Sequence, residues 1–134
     1  MSQPIDMRAK GKTKLHIAYP MVFVTDLTKA VAYYKTKLGF KVDFLYGDPP
    51  FYGMMTRDGA SLHFRHVDKH PFAPSEEDLL TASIVVEEVK SLFLEFKASG
   101  VEFHQTLKRQ PWGASDFMVK DPDGNLLSFA SAMK

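Results

Sequence analysis

The feature that most constrains the fold of this chain is an internal repeat. Residues that typically begin or end local structure recur at nearly equal spacing. They are an acidic residue before a predicted helix (Asp26 and Glu87), a glycine after it (Gly39 and Gly100), and a glycine in a later hairpin (Gly59 and Gly124). The first two pairs are 61 residues apart (87 − 26 and 100 − 39) and the third is 65 apart (124 − 59). This agreement predicts one supersecondary unit used twice.

The first unit is predicted to contain a strand, a helix and three more strands. Apolar, β-branched and aromatic residues fill positions 15–24, which predicts a buried strand. An apolar stripe runs at helical spacing from Leu27 to Leu38, and Gly39 is suited to end that helix. The three later strands are predicted at residues 40–46, 51–56 and 61–66, with an Asp58-Gly59 turn before the last one.

The second unit repeats this order after a linker at residues 67–78, which is rich in proline and charge. Its predicted elements are a strand at residues 80–86, a helix at 87–99, a short strand at 101–103, a loop at 108–113, and a hairpin of strands at 115–120 and 125–130. Both units therefore have the order βαβββ.

These elements predict an α+β fold of two βαβββ modules, at residues 15–66 and 79–131. We expect each module to form a curved mixed sheet with one helix on its outer face, so that the two sheets enclose a cleft. A chain of 134 residues and 15.2 kDa is long enough for one domain, predicted at residues 15–134. Residues 1–14 are predicted to be a flexible arm.

Composition argues against several classes of function. The formal net charge is only +1, from 17 basic and 16 acidic residues, so we expect no binding to nucleic acid. The chain has no cysteine, which removes disulfides, thiolate nucleophiles and cysteine metal sites. No apolar run reaches the roughly 20 residues that a membrane helix needs. We expect a soluble, cytoplasmic protein without a membrane partner.

Two parts of the sequence resemble a known superfamily. Residues 20–27 (PMVFVTDL), 30–34 (AVAYY) and 38–40 (LGF) are similar to the opening module of the glyoxalase, bleomycin-resistance and extradiol-dioxygenase proteins, the vicinal-oxygen-chelate superfamily. Pro111-Trp112-Gly113, Phe117, residues 121–125 (DPDGN) and Phe129 resemble the closing module of its bleomycin-resistance branch. The similarity extends from about residue 17 to residue 130, and it implies both the fold above and a protein that holds a ligand.

The resemblance also implies where the enzymes of the superfamily would hold a metal. Their four ligand positions fall here on Tyr19, on His63, near Thr81 and on Ser128. One imidazole with three hydroxyls lacks the strong ligands and the negative charge of such a site. We therefore predict no metal, no other cofactor and no catalytic residue. A metal-dependent lyase or oxygenase of the glyoxalase or dioxygenase type is the alternative.

The predicted ligand-binding residues are mainly aromatic. They are Tyr19, Asp43, Phe44, Phe51, Tyr52, His63, Arg65, Trp112 and Ser128. Trp112 lies in a rigid loop, where its ring packs on a ligand or on the core. Core packing accounts equally well for the strand aromatics, and His63 could be a half-exposed histidine bonded to a neighbour. Asp43 matches an acidic groove position of the bleomycin-resistance branch, which would meet a cation; the alternative is an exposed strand carboxylate.

These features favour a metal-independent protein that sequesters an aromatic or cationic organic ligand, of the bleomycin type in the branch that it resembles. That branch typically forms its clefts between two chains. The predicted linker of 12 residues can extend at up to roughly 3.3 Å per residue to a neighbour. We therefore expect a homodimer with shared clefts. A further alternative to ligand binding is a domain whose cleft is closed by its own side chains.

Overall fold

A computed structural model of the protein describes residues 3–71 and 79–132, and it has the predicted α+β architecture. The first module contains β1 (Met21–Val24), α1 (Leu27–Thr36), β2 (Lys41–Tyr46), β3 (Tyr52–Arg57) and β4 (Ala60–His66). The second contains β5 (Ala82–Val85), α2 (Val89–Ala98), β6 (Phe103–Arg109), β7 (Ser115–Lys120) and β8 (Leu126–Ala130). Residues 72–78 of the predicted linker lie outside the described residues.

Each module forms one four-stranded mixed sheet, and the two sheets have the same topology. Sheet one has the strand order β1-β4-β3-β2, and sheet two has the order β5-β8-β7-β6. In each sheet the first and last strands of the module are parallel and the other pairs are antiparallel. The predicted repeat of two βαβββ modules is therefore confirmed. Within one chain the two sheets do not close on each other.

The two helices begin at chemically different residues. Asp26 caps α1, because its Oδ1 accepts a hydrogen bond at 3.0 Å from the backbone amide three residues later. Glu88 precedes α2 without a capping bond, so the predicted helix start at Glu87 is two residues too early. Gly39 and Gly100 follow the helices with φ angles of +75° and +79°, which glycine adopts without strain. Both helices have ten residues, and no helix in the described ranges is long and apolar enough to cross a membrane.

Strand β1 is shorter than predicted. A buried strand over residues 15–24 is wrong for its first six positions, where Leu15 and Ile17 are exposed and no strand forms. Pro20 explains this limit, because proline has no N–H to donate to a ladder. Its carbonyl still accepts a hydrogen bond from the β4 backbone at 3.1 Å. Residues 3–20 thus lead to β1 as a largely exposed segment without helix or strand.

Strand β6 is longer than predicted. In place of a three-residue strand and an early loop, it runs from Phe103 to Arg109, with register irregularities against β7. Phe103, Gln105 and Leu107 are half-buried and alternate with exposed residues. Because polar Gln105 takes one of the inner positions, the apolar alternation that predicts a strand is interrupted. The connection to β7 therefore begins only after Arg109.

The modules meet along a seam made by their helices and hairpin turns. The Tyr34 hydroxyl of α1 donates a hydrogen bond of 2.8 Å to Asp121 Oδ2, beside the β7–β8 turn. Glu95 of α2 accepts one of 2.7 Å from Arg57, beside the β3–β4 turn. Tyr34 and Glu95 are 61 residues apart (95 − 34), so they hold equivalent positions in the two helices. Apolar residues of both modules form one continuous core around this seam.

Candidate functional site

Sheet one has a face that packs on α1 and a face that is open. On β3 and β4, residues on the helix side are fully buried, such as Met55, Leu62 and Phe64. The residues between them point to the other side, because side chains of a strand alternate between its faces. We call this side the open face. On β2, β3 and β4 it carries Lys41, Asp43, Phe44, Tyr46, Tyr52, Met54, Thr56, Ser61, His63 and Arg65.

The open face brings together most of the predicted ligand-binding residues. Asp43, Phe44, Tyr52, His63 and Arg65 lie on its strands, Tyr19 reaches it from the segment before β1, and Phe51 lies at its edge beside Tyr46. The other two predicted residues, Trp112 and Ser128, belong to module two. Seven of the nine predicted residues thus lie on or beside one face of the sheet, and their role in ligand binding stays a prediction.

Exposed aromatic rings cover the β2 side of the open face. The rings of Phe44 and Tyr52 have centroids 5.7 Å apart, and those of Tyr46 and Phe51 meet edge to face at 5.5 Å. Phe44 is 40% exposed, Phe51 48% and Tyr46 65%, so core packing within the chain does not account for them. Exposed apolar patches of this kind mark surfaces that bind a ligand or a partner. Tyr46 was not among the predicted residues, although it alternates with Phe44 on β2.

His63 is held from two directions at the centre of the open face. The Tyr52 hydroxyl lies 2.6 Å from Nδ1 of His63. The Tyr19 ring stacks on the imidazole, with centroids 4.5 Å apart and planes inclined by 24°. The other nitrogen, Nε2, is buried and has no hydrogen-bond partner among the described residues. His63 therefore has one hydrogen-bonding atom without a partner among the described residues. Leaving such a buried atom without a partner costs free energy.

A short hydrogen-bond chain lies on the same face. The Thr56 hydroxyl donates its single proton in a hydrogen bond to the Asp43 carboxylate. The Ser61 hydroxyl, 2.8 Å from Thr56 Oγ1, is therefore the donor of the second bond. Asp43 ends this chain as an acceptor, and one of its two oxygens is already bonded within the protein.

Arg65 is a cation at the β4 end of the open face. It lies directly across from Tyr52 in the β3–β4 ladder, and its side chain is exposed. Within the described ranges its guanidinium makes no hydrogen bond and no ion pair. Its positive charge is therefore available to a ligand.

Trp112 and Ser128 have different surroundings in module two. Trp112 lies in the loop between β6 and β7, is 58% exposed and makes no ring contact with another described residue. Ser128 is only 3% exposed, in β8 opposite Ser83 and Met118. A ligand could reach Trp112 directly, whereas Ser128 is covered in this single chain.

Sheet two carries a buried polar cluster that the sequence did not reveal. Asp116 Oδ1 accepts hydrogen bonds from Gln105 at 2.7 Å and from Gln110 at 2.8 Å. The neighbouring Phe117 packs on Phe96 of α2, so Asp116 points to the side of sheet two away from its helix. This cluster occupies the counterpart of the open face. Isolated glutamines in a polar strand form no sequence pattern that could have identified it.

The donors at the four metal positions do not fit the metal of the superfamily's enzymes. Among the residues that the structure describes, no group of three or more histidine or acidic side chains could hold a metal ion. Tyr19 stacks on His63, while Thr81 donates to Asn125 at 3.4 Å and Ser128 lies within sheet two. Only His63 offers a strong ligand atom.

Two cavities follow the seam between the modules, and no predicted ligand-binding residue lines them. One, of about 810 Å³, lies between the β3–β4 turn, β5 and α2. The other, of about 650 Å³, lies between α1 and the first residues of β6. The wall of the first contains the Arg57 and Glu95 pair, whose charges are satisfied by each other. The open face is therefore the candidate site, because its aromatic rings are exposed and Nε2 of His63 has no partner among the described residues.

Three titratable groups in the seam have raised pKa values, and their role is structural. Burial raises the pKa of Asp121, although hydrogen bonds from Asn125 and Tyr34 act in the opposite direction. Burial beside this carboxylate raises the pKa of Tyr34 well above its usual value, and burial raises the pKa of Tyr33 to about 12. Asp121 and Tyr34 are buried and bonded to each other, so these shifts reflect module packing rather than a catalytic group.

Two βαβββ modules that each form a four-stranded mixed sheet define the vicinal-oxygen-chelate class of fold. The chain belongs to the glyoxalase/bleomycin resistance protein/dioxygenase superfamily, whose sequence model matches residues 16–129. A bleomycin resistance protein of Geobacillus stearothermophilus is 30% identical over 129 residues, covering 86% of this chain and 96% of that protein. The resemblance to the bleomycin-resistance branch is therefore confirmed.

Solved structures with this fold are similar over nearly the whole chain. A glyoxalase/bleomycin resistance protein/dioxygenase from Alicyclobacillus acidocaldarius has a TM-score of 0.76 at 24% identity, covering 89% of this chain and 92% of that one. A bleomycin-binding protein from Streptomyces verticillus, solved with copper(II)-bleomycin, has a TM-score of 0.70 at 22% identity, covering 90% and 99%. At these identities the likeness establishes the fold.

Proposed function

We propose that this chain is a metal-independent binding protein that sequesters an aromatic or cationic organic ligand on the open face of sheet one. The observation that carries the proposal is the exposed aromatic surface of Phe44, Tyr46 and Phe51 beside His63 with its unmet nitrogen. Stacking and apolar burial would supply most of the binding free energy, and a few polar groups would orient the ligand. We place this activity in the cytoplasm, the compartment expected for this cysteine-free chain.

A bleomycin-type molecule is the first candidate ligand. Its support is the relative named a bleomycin resistance protein, which is 30% identical over almost its full length. The fold is also shared with proteins whose structures were solved with bleomycin. In a resistance role the protein would act by holding the molecule, without making or breaking bonds.

The proposal includes a homodimer whose clefts are shared between two chains. In one chain the open face is uncovered, and Trp112 of module two is exposed. A second copy related by a two-fold axis would place its module two over the open face. Each of the two clefts would then contain Phe44 and His63 from one chain and Trp112 from the other. Pairing would also protect the free edge of β1.

The rival function is a metal-dependent lyase or oxygenase. It is favoured by one observation, the imidazole of His63 at a position that holds metal in the superfamily's enzymes, with Nε2 unbonded. The rival lacks three further strong ligands, since the other positions carry Tyr19, Thr81 and Ser128. A metal held by His63 alone would bind weakly.

The proposal is tested by titrating bleomycin into the purified protein while the fluorescence of Trp112, the one tryptophan, is recorded. We expect saturable quenching, and we expect Phe44→Ala to weaken it more than Leu94→Ala, an exposed apolar residue on α2. Native mass spectrometry of the same sample should give a metal-free mass of two chains. Bound metal through His63 would support the rival, and a mass near 15.2 kDa in light scattering at micromolar concentration would refute the shared cleft.

A further inference from the structure

We infer that sheet two recognises the cationic group of the ligand, a group with several N–H donors such as an amidinium, through the carboxylate of Asp116. The inference rests on the proposed function, because it names the contact that an aromatic cation bound on the open face would make with the opposite wall of the cleft. It follows from the chemistry of the two sheets at equivalent positions and from the hydrogen bonds of this carboxylate.

Sheet two is polar where sheet one is aromatic. Tyr52 of β3 and Asp116 of β7 hold equivalent positions, because each lies two residues before a methionine that pairs with the superfamily's metal position on the next strand. On the edge strands Phe44 corresponds to Gln105, since they pair with the same two methionines. In the shared cleft of the proposed dimer, a ligand would thus meet aromatic rings on the side of sheet one and polar groups on the side of sheet two.

Asp116 has one oxygen that is bonded and one that is free. Its side chain is only 6% exposed, and Oδ1 accepts hydrogen bonds from Gln105 at 2.7 Å and from Gln110 at 2.8 Å. The other oxygen, Oδ2, has no hydrogen bond among the described residues. It is not fully enclosed, because in the described ranges His63 Nε2 is the one completely buried side-chain nitrogen or oxygen without a partner. The cluster therefore offers an accessible carboxylate oxygen whose neighbouring oxygen is held in place.

The carboxylate also fixes the direction of the two glutamine amides. Because a carboxylate accepts hydrogen bonds and donates none, Gln105 and Gln110 must turn their NH2 groups toward Asp116. Their carbonyl oxygens lie on the other side of each amide, and neither has a hydrogen bond among the described residues. Three side chains thus present acceptor oxygens, one of them charged. A cation with several N–H donors complements this set.

The cluster lies beside the loop that carries Trp112. Gln110 is two residues before Trp112, so their backbones are at most roughly 8 Å apart. The Gln110 amide closes this loop by donating to the Ala114 carbonyl at 2.7 Å. Lys108 lies across from Asp116 in the ladder and makes no ion pair with it within the described ranges, so the charge of the carboxylate is not neutralised there. A ring that stacks on Trp112 can therefore place a cationic substituent at Asp116.

The experiment compares three ligands with the same ring in isothermal titration calorimetry at neutral pH: naphthalene-2-carboxamidine, naphthalene-2-carboxamide and 2-acetylnaphthalene. The first is a cation rich in N–H donors, the second is a neutral donor and the third has no donor. We expect the amidinium to bind about ten-fold more tightly than the ketone, as for one charge-assisted contact, with the carboxamide between them. Asp116→Asn keeps an oxygen for the two glutamine amides and should remove most of that preference. Asp58→Asn, which removes an exposed carboxylate from the β3–β4 turn, is the matched control and should preserve it.

A second measurement uses the unaltered protein and does not depend on how Asp116→Asn folds. In NMR spectra the side-chain amide signals of Gln105 and Gln110 should shift when the amidinium is added and stay in place when the ketone is added. If these signals do not move at saturation with the amidinium, the role of the cluster is overturned.

The possible failures are distinguishable. If the three compounds bind equally tightly, the aromatic site stands and the role of Asp116 is overturned. Retention of the full preference in Asp116→Asn, with circular dichroism unchanged, also overturns it, and its loss in Asp43→Asn alone would assign the cation to the open face instead. If none of the three compounds binds, the proposed function fails together with the inference.

Discussion

Replacing Tyr34 by phenylalanine removes one hydroxyl from the seam and leaves the ring in place. That hydroxyl donates to Asp121 at 2.8 Å, where both side chains are buried. Asp121 keeps the backbone amide of Asp123 and the amide groups of Asn125 as donors, so its charge is not left unbonded. We therefore expect a loss of about 1.5 kcal/mol in the free energy of unfolding, at the lower end for a bond to a charged group.

Urea unfolding followed by circular dichroism measures this loss, at one fixed protein concentration because dimer formation would add to the apparent stability. Tyr33→Phe is the control, since its hydroxyl lies 3.5 Å from the Lys120 carbonyl oxygen, too far for a strong bond. We expect that control to cost less than about 0.5 kcal/mol. If the two variants lose equal stability, the Tyr34–Asp121 bond does not hold the seam as described.

The cost of Tyr34→Phe should also depend on pH. Burial raises the pKa of Asp121 in the folded chain, so the stability that this group contributes is greatest below its ordinary pKa and falls as pH rises through the raised value. The lost hydroxyl is a donor that lowers this pKa, so the pKa of Asp121 rises further in the variant. The penalty should thus be largest at neutral pH and shrink toward about pH 4. A penalty that is constant over this range would contradict the assignment.

Three further outcomes follow from the site and the seam. EDTA should leave the midpoint of thermal unfolding unchanged, and about one metal ion per chain in elemental analysis would contradict this. Trp112→Ala should weaken bleomycin binding by about 1 to 3 kcal/mol, and undiminished affinity in calorimetry would remove this loop from the site. Glu95→Gln should destabilise the chain by less than about 1 kcal/mol, because its bond to Arg57 is partly exposed, and high salt should abolish the difference in urea unfolding.

Local sequence patterns predicted most of the fold because they act over short distances. The apolar stripe of α1 and the glycine after each helix are properties of a few consecutive residues, and both are found as expected. Alternation on β4 placed His63 and Arg65 on one face for the same reason. The predicted start of β1 at residue 15 was wrong, because Pro20 has no N–H to donate and the strand begins only after it.

Contacts between distant residues were not predictable in this way. Neither the stacking of Tyr19 on His63 nor the Tyr34–Asp121 bond leaves a trace in local periodicity, since each joins separate parts of the chain. The same holds for Arg65, which makes no ion pair within residues 3–71 and 79–132, since that depends on which acidic residues the fold brings near it. Hydrophobic patterning selects the buried face of each element, whereas the partner of each polar group is decided by tertiary packing.

The two equivalent contacts of the seam differ in chemistry, and they should therefore respond to different solvent conditions. The contact between Arg57 and Glu95 is ionic and partly exposed, so ionic strength weakens it. The contact between Tyr34 and Asp121 is buried, so salt screens it little and acid alters it instead. Ionic strength should therefore act on one side of the seam and pH on the other, while the apolar core shared by the modules keeps them together. The duplication thus gives a single interface two separate sensitivities to the solvent.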